Sequence, residues 1–305
     1  MTEFLSAKKK ADKGSTKDLK KWTNTRAAET WQEEGEQPDW TLLQARAEPY
    51  RVLSVPEKAM FLSAGVDVQD NRLEVVIVAF GEFEECWVIY YGVLYGLPDQ
   101  PEVWSQLDEL LHRTYSHASG AELRMQAMGI DSGHKTQSVY GYCRSRGWPT
   151  IAVKGMGGKV PVKGSITKQD VDINGRKIKS GVSKMNVGVD EAKRQIYSRL
   201  KFADHGPGYI HFPIGLPDEF YLQLTAEKDQ KYFDKDGYEQ KKWVKMRARN
   251  EALDCFVYAY AAALWAGIER VDFNIIKANL QAVQNTGTPP PPQPKRKIIS
   301  RGING

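Results

Sequence analysis

FLSAGVDVQDNRLEVVIVAFGEFEECWVIYYG, residues 61–92, decides the fold of this chain. Three runs rich in Val, Ile, Phe and Tyr (61–69, 72–80 and 85–92) are divided by the turn signals QDN and GEFE. Such runs predict strands, and connections this short join antiparallel neighbours, so the stretch predicts a three-stranded meander. The pattern then changes. PEVWSQLDELLHRTY (101–115) opens on Pro and repeats apolar residues at helical spacing. RMQAMGID (124–131) predicts a strand, KTQSVYGYCRSRG (135–147) a helix closed by Gly, and PTIAVK (149–154) another strand. The order βββαβαβ predicts an α/β fold: a mixed sheet, antiparallel in its first half and parallel in its second, flanked by helices.

Residues 155–188 are rich in Gly, Lys and Val, with an Asn-Gly turn signal at 174–175. They predict a basic β-hairpin excursion away from the sheet. DEAKRQIYSRL (190–200) is a helix whose acidic start and basic end suit the helix dipole. A second hairpin is expected at 231–246, and NEALDCFVYAYAAALWAGI (250–268) is the strongest helix signal in the chain. Residues 1–21 read as a flexible basic arm. Residues 22–60, with three Trp and the acidic run EEGEQPD, read as a linker, a short helix plus an extended wrap. Residues 61–270 form the domain, and 271–305, carrying TPPPPQPKRK, a Pro-rich basic tail.

The chain has 305 residues, 41% apolar and 27% charged, with a formal net charge of +5. That composition supports a globular core and excludes collagen-like and wholly disordered classes. No apolar run approaches the ~18 residues of a membrane span, and MTEFLSAKKK lacks the apolar core of a secretory signal. Three scattered cysteines (86, 143, 255) exclude a disulfide framework and a CxxC zinc knuckle, and they fit a reducing cytoplasm. The charge is unevenly placed. Residues 1–21 carry +4 and residues 283–305 carry +4, leaving −3 for residues 22–282. Within that core, residues 154–201 hold twelve Lys or Arg against four acids, net +8, so the remainder carries −11. The core is polarised into one basic region and an acidic remainder, the charge pattern of a site that neutralises phosphates beside a cation-binding cluster. Lys154, Lys159, Lys163, Arg176, Lys177 and Lys179 are its candidate nucleic-acid contacts.

Three acids occupy positions that predict partial burial. Asp67 interrupts an apolar strand, Asp131 ends one (MGIDSGH), and Asp254 lies in an Ala- and aromatic-rich helix. A buried carboxylate costs several kcal/mol unless it is paired or binds a metal. Three converging carboxylates would make a hard oxygen site for Mg²⁺ or Mn²⁺. Two such ions ~4 Å apart support in-line displacement at phosphorus, one activating the water and the other the leaving oxygen. Glu251, three residues before Asp254, shares its helical face and is a further ligand or a partner of the ligands. His134, close to Asp131, could assist proton transfer. Each acid also has an ordinary reading as a cap, turn or solvent-facing residue. Other chemistries lack their motifs: GMGGKV is not a phosphate loop, no G-x-S-x-G elbow occurs, and the five His form no H-E-x-x-H pair.

GVDVQDNRLEVVIVAFG, MGIDSG, IAVKG, AKRQIYSRL, YIHFP, QLTAE and above all RNEALDCFVYAYAA resemble the large terminase subunit of lambda-like tailed phages, and WTNTRAAETWQEEGEQPDW resembles the segment joining that family's ATPase to its nuclease. The resemblance covers roughly residues 15–270. It implies a genome-packaging motor whose C-terminal half is an RNase H-like endonuclease. Its metal-binding acids, on the first strand, at the end of the fourth strand and on a late helix, fall by motif on Asp67, Asp131 and Asp254. Glu251 belongs to the same helix motif, and Lys154 to the strand end IAVKG.

By the same resemblance, the expected substrate is concatemeric double-stranded viral DNA. The expected partners are the small terminase subunit, the portal of the procapsid through the C-terminal region, and an N-terminal ATPase domain whose Walker motifs this chain lacks. The chain therefore reads as an isolated nuclease fragment that acts in the cytoplasm of the infected bacterial host. Two other classes remain open: another RNase H-like nuclease (integrase, transposase or junction resolvase), and a non-catalytic module that docks DNA or portal through its basic surfaces.

Overall fold

Alternation along two strands sets the layers of this fold. In Phe61–Val68 the side chains of Leu62, Ala64 and Val66 enter one apolar core, while Phe61 enters another and Ser63 bonds a helix on that second side. A strand buried on both faces needs a helical layer above and below it. The computed structural model describes residues 37–173, 175–233 and 238–286, together with positions 5, 6, 8, 9 and 18. Most of the basic arm, the linker up to residue 36 and the Pro-rich run lie outside the described residues.

In chain order the elements are α1 (Trp40–Ala45), β1 (Glu48–Arg51), β2 (Phe61–Val68), β3 (Arg72–Phe80), β4 (Cys86–Tyr95), α2 (Pro101–His112), β5 (Tyr115–Ser116), β6 (Glu122–Leu123), β7 (Met125–Asp131), α3 (Thr136–Arg146), β8 (Thr150–Met156), β9 (Lys163–Ile173), β10 (Arg176–Gly188), α4 (Val189–Leu200), β11 (Ile210–His211), β12 (Pro213–Ile214), α5 (Asp218–Leu224), β13 (Glu227–Phe233), β14 (Glu239–Lys245), α6 (Glu251–Ala266) and α7 (Phe273–Thr286). The main sheet has eight strands in the order β11-β4-β3-β2-β7-β8-β10-β9. β2, β3 and β4 form the antiparallel meander, while β7, β8 and β10 continue parallel to β2. The α/β mixed sheet expected from the strand order, antiparallel in its first half and parallel in its second, is the arrangement observed. Helices α2 and α3 cover one face and α4 and α6 the other.

Helix α6 sits unusually close to the sheet, and two glycines allow it. A Cβ on Gly65 would lie 1.8 Å from the Cys255 carbonyl oxygen and 2.5 Å from the Ala259 nitrogen. A Cβ on Gly129 would lie 2.9 Å from the Tyr258 carbonyl oxygen. Gly65 and Gly129 are register partners on adjacent parallel strands, so together they form one seat for the helix backbone. The Ser63 hydroxyl donates to the Ala259 carbonyl (2.6 Å) and the Cys255 thiol to the Glu74 carbonyl (3.1 Å), tying the helix to that seat.

The basic hairpin differs from expectation in an instructive way. Its proximal half does not leave the sheet: β10 pairs with β8 from Lys184 to Gly188 and extends it. A register break between Ile178 and Val182, with Ser180 at φ 51°, then bends the hairpin. The distal arm runs back along α3, where Arg144 donates to the Gly181 carbonyl (2.8 Å) and the Asp172 amide donates to Gln137 (2.9 Å) in the first turn of α3. Val171 is buried beneath the arm among residues of α3 and β7. Residues 273–286, placed by the sequence reading in the tail, are helical, and α5 and the short strands β11 and β12 carried no clear sequence signal.

Gly65→Ala should destabilise the domain by about 3 kcal/mol, because the helix backbone cannot yield as a side chain would. Gly141→Ala, where a Cβ meets nothing within 4 Å, should stabilise it by about 0.5–1 kcal/mol through helix propensity. Urea denaturation of the two variants checks both; equal effects would refute the proposed seat.

Candidate metal centre

Each glycine of the seat is followed two residues later by an aspartate. Side chains alternate along a strand, so Asp67 points to the same face as Gly65, and Asp131 to the same face as Gly129. Val66 pairs with Ile130, so the aspartates that follow them lie on neighbouring strands in register, Asp131 at the end of β7 and Asp67 one residue before the end of β2. Asp254 belongs to the first turn of α6, one residue before the Cys255 carbonyl that rests over Gly65. The sheet and helix thus bring Asp67, Asp131 and Asp254 to one end of the same interface.

Their electrostatics show the crowding. Asp67 is buried, and desolvation, with the charges of Asp131, Asp254 and Glu251, pushes its pKa up to about 7 against a hydrogen bond from Gln69. Burial also raises the pKa of Asp131, aided by the charge of Asp254. The backbone amides of Gly133 and Ser132 and the charge of Lys154 oppose it. A desolvated, oxygen-only, mutually repelling donor set suits a hard divalent cation, so these residues fit Mg²⁺ or Mn²⁺. Their oxygens do not all lie within 4.8 Å of one another. Among the described residues only Glu48, His205 and His211 meet that spacing.

The position of Asp254 has a cause that the sequence reading missed. Lys193 of α4 is buried, and its ammonium lies 3.0 Å from Asp254 Oδ1 and 2.8 Å from Glu227 Oε1. Asn250 donates to Asp254 Oδ2 (2.8 Å) and to Glu227 Oε1 (2.6 Å), and accepts from Lys245 (2.6 Å). Burial works against the Lys193 charge, yet Asp254 and Glu227 more than offset it and raise its pKa. The signal was present: Lys193 stands with Ile196, Tyr197 and Leu200 on the apolar stripe of α4, where a lysine must find a buried partner. Glu251 lies beside the trio, but Arg72 holds its Oε1 at 2.9 Å and Arg249 approaches its Oε2 at 3.5 Å. It joins an ion cluster with Glu74 that locks the start of α6 to β3.

The basic residues separate into groups. Lys154 is exposed at the end of β8, and its charge acts on Asp131. Lys159 is exposed in the following loop. Arg176, Lys177 and Lys179 are exposed on the distal arm that returns to the first turn of α3, five residues after Asp131, and Lys177 pairs with Asp170 at 3.1 Å. Lys163 is turned elsewhere. It donates to the Leu264 carbonyl (3.0 Å) near the C-terminus of α6, the far end of that helix, where a cation suits the dipole. His134 is exposed and its Nε2 meets Asp70 Oδ1 at 2.9 Å.

Three comparisons place the chain among known proteins. The family described as terminase large subunit gpA, endonuclease domain, matches residues 1–273. The terminase large subunit of Escherichia phage lambda is 34% identical over 290 residues, covering 90% of this chain and 43% of that protein. That of Enterobacteria phage P21 is 30% identical over 299 residues, covering 94% of this chain and 45% of that protein. The chain therefore spans less than half the length of these relatives. Among solved structures, the large terminase nuclease from thermophilic phage G20c with bound magnesium aligns at a TM-score of 0.40 and 10% identity, over 74% of this chain and 98% of that one.

The raised pKa of Asp67 carries a stability consequence. A carboxyl whose folded pKa lies above its unfolded value favours folding while protonated and loses that advantage as pH rises, here between about pH 4 and pH 7. Without divalent metal, Asp67→Asn should flatten this pH dependence and stabilise the domain at pH 8 by on the order of 2 kcal/mol. Lys193→Met should destabilise it by about 3–5 kcal/mol by leaving Glu227 and Asp254 without their cation. Thermal and urea unfolding across pH, in chelator, would show both.

Proposed function

The chain belongs to the family of terminase large subunit gpA endonuclease domains, and on that premise we propose that it is a metal-dependent DNA endonuclease that cuts concatemeric double-stranded viral DNA during genome packaging. The observation that carries this reading is the register-matched pair of strand-end aspartates, Asp67 and Asp131, beneath Asp254 on a closely seated helix. Asp67, Asp131 and Asp254 would hold Mg²⁺ or Mn²⁺, two ions in the full complement. Bound there, such cations supply Lewis acidity at the scissile phosphate.

The remaining contributions come from the chain itself. Lys193 and Asn250 hold both oxygens of Asp254 and so fix its orientation. The Arg72–Glu74–Arg249–Glu251 cluster fixes the helix start from which Asp254 projects. Glu251 thereby acts as a positioning residue whose charge also bears on Asp67. Lys154, exposed beside Asp131, is placed to neutralise a phosphate next to the one being cut. Lys159 and the distal-arm residues Arg176, Lys177 and Lys179 extend that surface, and a hairpin of this kind tracks a duplex backbone without reading bases. Lys163, engaged at the end of α6, supports the fold rather than the DNA.

In the longer protein this domain would follow an ATPase half. It would receive its cleavage position with help from the small terminase subunit and meet the portal of the procapsid through the C-terminal region. It would do so in the cytoplasm of the infected host. No described helix is long and apolar enough to cross a membrane.

Asp67→Ala, Asp131→Ala and Asp254→Ala should each abolish Mn²⁺-dependent nicking of supercoiled plasmid while far-UV circular dichroism remains native. Normal cleavage by a folded variant removes that residue from the site. Lys154→Ala should reduce kcat/KM by about tenfold or more and make the salt dependence of binding shallower by about one phosphate contact. Strand transfer, or preference for a four-way junction over plain duplex, would instead favour the integrase or resolvase reading.

A further inference from the structure

At the opposite end of the sheet from the aspartates, three side chains converge from three segments. Glu48 comes from β1, His205 from the loop after α4, and His211 from β11. One ligand atom of each lies within 4.8 Å of the others. His211 Nδ1 meets Glu48 Oε1 at 2.5 Å, and His205 Nε2 meets the same oxygen at 3.6 Å. β11 pairs with β4 at Cys86 and Trp87, level with Phe61 at the start of β2. Six strand residues separate that level from Asp67, about 20 Å.

A second observation distinguishes this cluster from a chance meeting of charges. His211 is buried, stacked on Trp87 at 4.5 Å, and its other nitrogen, Nε2, meets the buried carboxylate of Glu85 at 2.9 Å. A carboxylate on the far nitrogen fixes both tautomer and ring orientation, the usual support behind a metal-binding imidazole. With Nε2–H donated to Glu85, Nδ1 faces Glu48 and His205 as the donor atom. Arg46, the cation two residues before Glu48, is committed to the carbonyls of Leu200 and Ile210 and the hydroxyl of Tyr209.

We propose that Glu48, His205 and His211 form a zinc-class transition-metal site that staples the entering strand β1 to the edge of the nuclease sheet. Two imidazoles and one carboxylate are a donor set suited to tetrahedral Zn²⁺, with water as the fourth ligand. His211 Nδ1 and Glu48 Oε1 share a hydrogen bond of 2.5 Å. The metal takes the place of the hydrogen between them, which leaves to solvent as a proton. Because Glu48 lies on the segment that leads in from the N-terminal side, the staple would fix the path by which that segment reaches the sheet.

The test uses the 305-residue chain, stripped with chelator and titrated with Co²⁺ as a spectroscopic stand-in for Zn²⁺. One equivalent should develop the intense visible absorption of tetrahedral cobalt, and Zn²⁺ should bleach it and raise the thermal midpoint. His205→Ala, an exposed position whose loss leaves the core intact, should abolish both responses. Asp67→Asn should leave the tetrahedral cobalt spectrum unchanged. Glu85→Gln should weaken binding by about 10–100-fold. Absence of the tetrahedral spectrum, its persistence in His205→Ala, or its loss in Asp67→Asn would each overturn the proposal. None of these outcomes depends on whether the chain cuts DNA.

Discussion

The contact of helix α6 with the backbone of β2 and β7 is the constraint on which the rest of the structure depends. Gly65 and Gly129 have no side chain on the helix-facing side of the sheet, so the helix backbone settles against the strands. Any larger residue there would lift the helix and carry Asp254 away from Asp67 and Asp131. The same period-two alternation that turns the glycines toward the helix turns the next aspartates that way. Seat and site are therefore one feature, written twice as Gly-x-Asp, in 65–67 and in 129–131.

Gathering carboxylates in a dry interface is unfavourable, and the protein manages it asymmetrically. Asp67 carries much of the burden, with its pKa lifted to about 7 by burial and by its acidic neighbours. Asp254 instead has Lys193 and Asn250, and Glu251 has Arg72 and Arg249. One acid is left electrostatically unstable while its neighbours are restrained. A divalent cation bound there, as proposed above, would relieve that repulsion at acids already held in position.

The charge distribution gains meaning from the same geometry. The cluster of Lys and Arg in 154–201 is not one surface. Lys163 caps a helix and Lys193 is buried in an ion pair, while Lys154, Lys159 and the distal hairpin residues face solvent. The bend at 178–182 brings the distal arm back along α3; extended straight from β10, it would have pointed away from the aspartate end of the sheet.

Local sequence specified the meander, the crossover helices, the strand that carries Asp67, the strand that ends in Asp131 and the helix bearing Asp254. Those features rest on local periodicity and on turn residues, which act over a few neighbours. The three aspartates stood out because an acid in an apolar strand or helix is out of place unless something pairs with it. Tertiary structure alone decided that Lys193 reaches Asp254, that Arg72 engages Glu251, that Lys163 bonds the Leu264 carbonyl, and that Glu48, His205 and His211 meet. Each of these joins residues far apart in the chain, and which partner a buried charge finds depends on how the layers pack. The short strands β11 and β12 escaped for a related reason. Two-residue strands have no period to read, and they exist because an edge of the sheet was there to receive them.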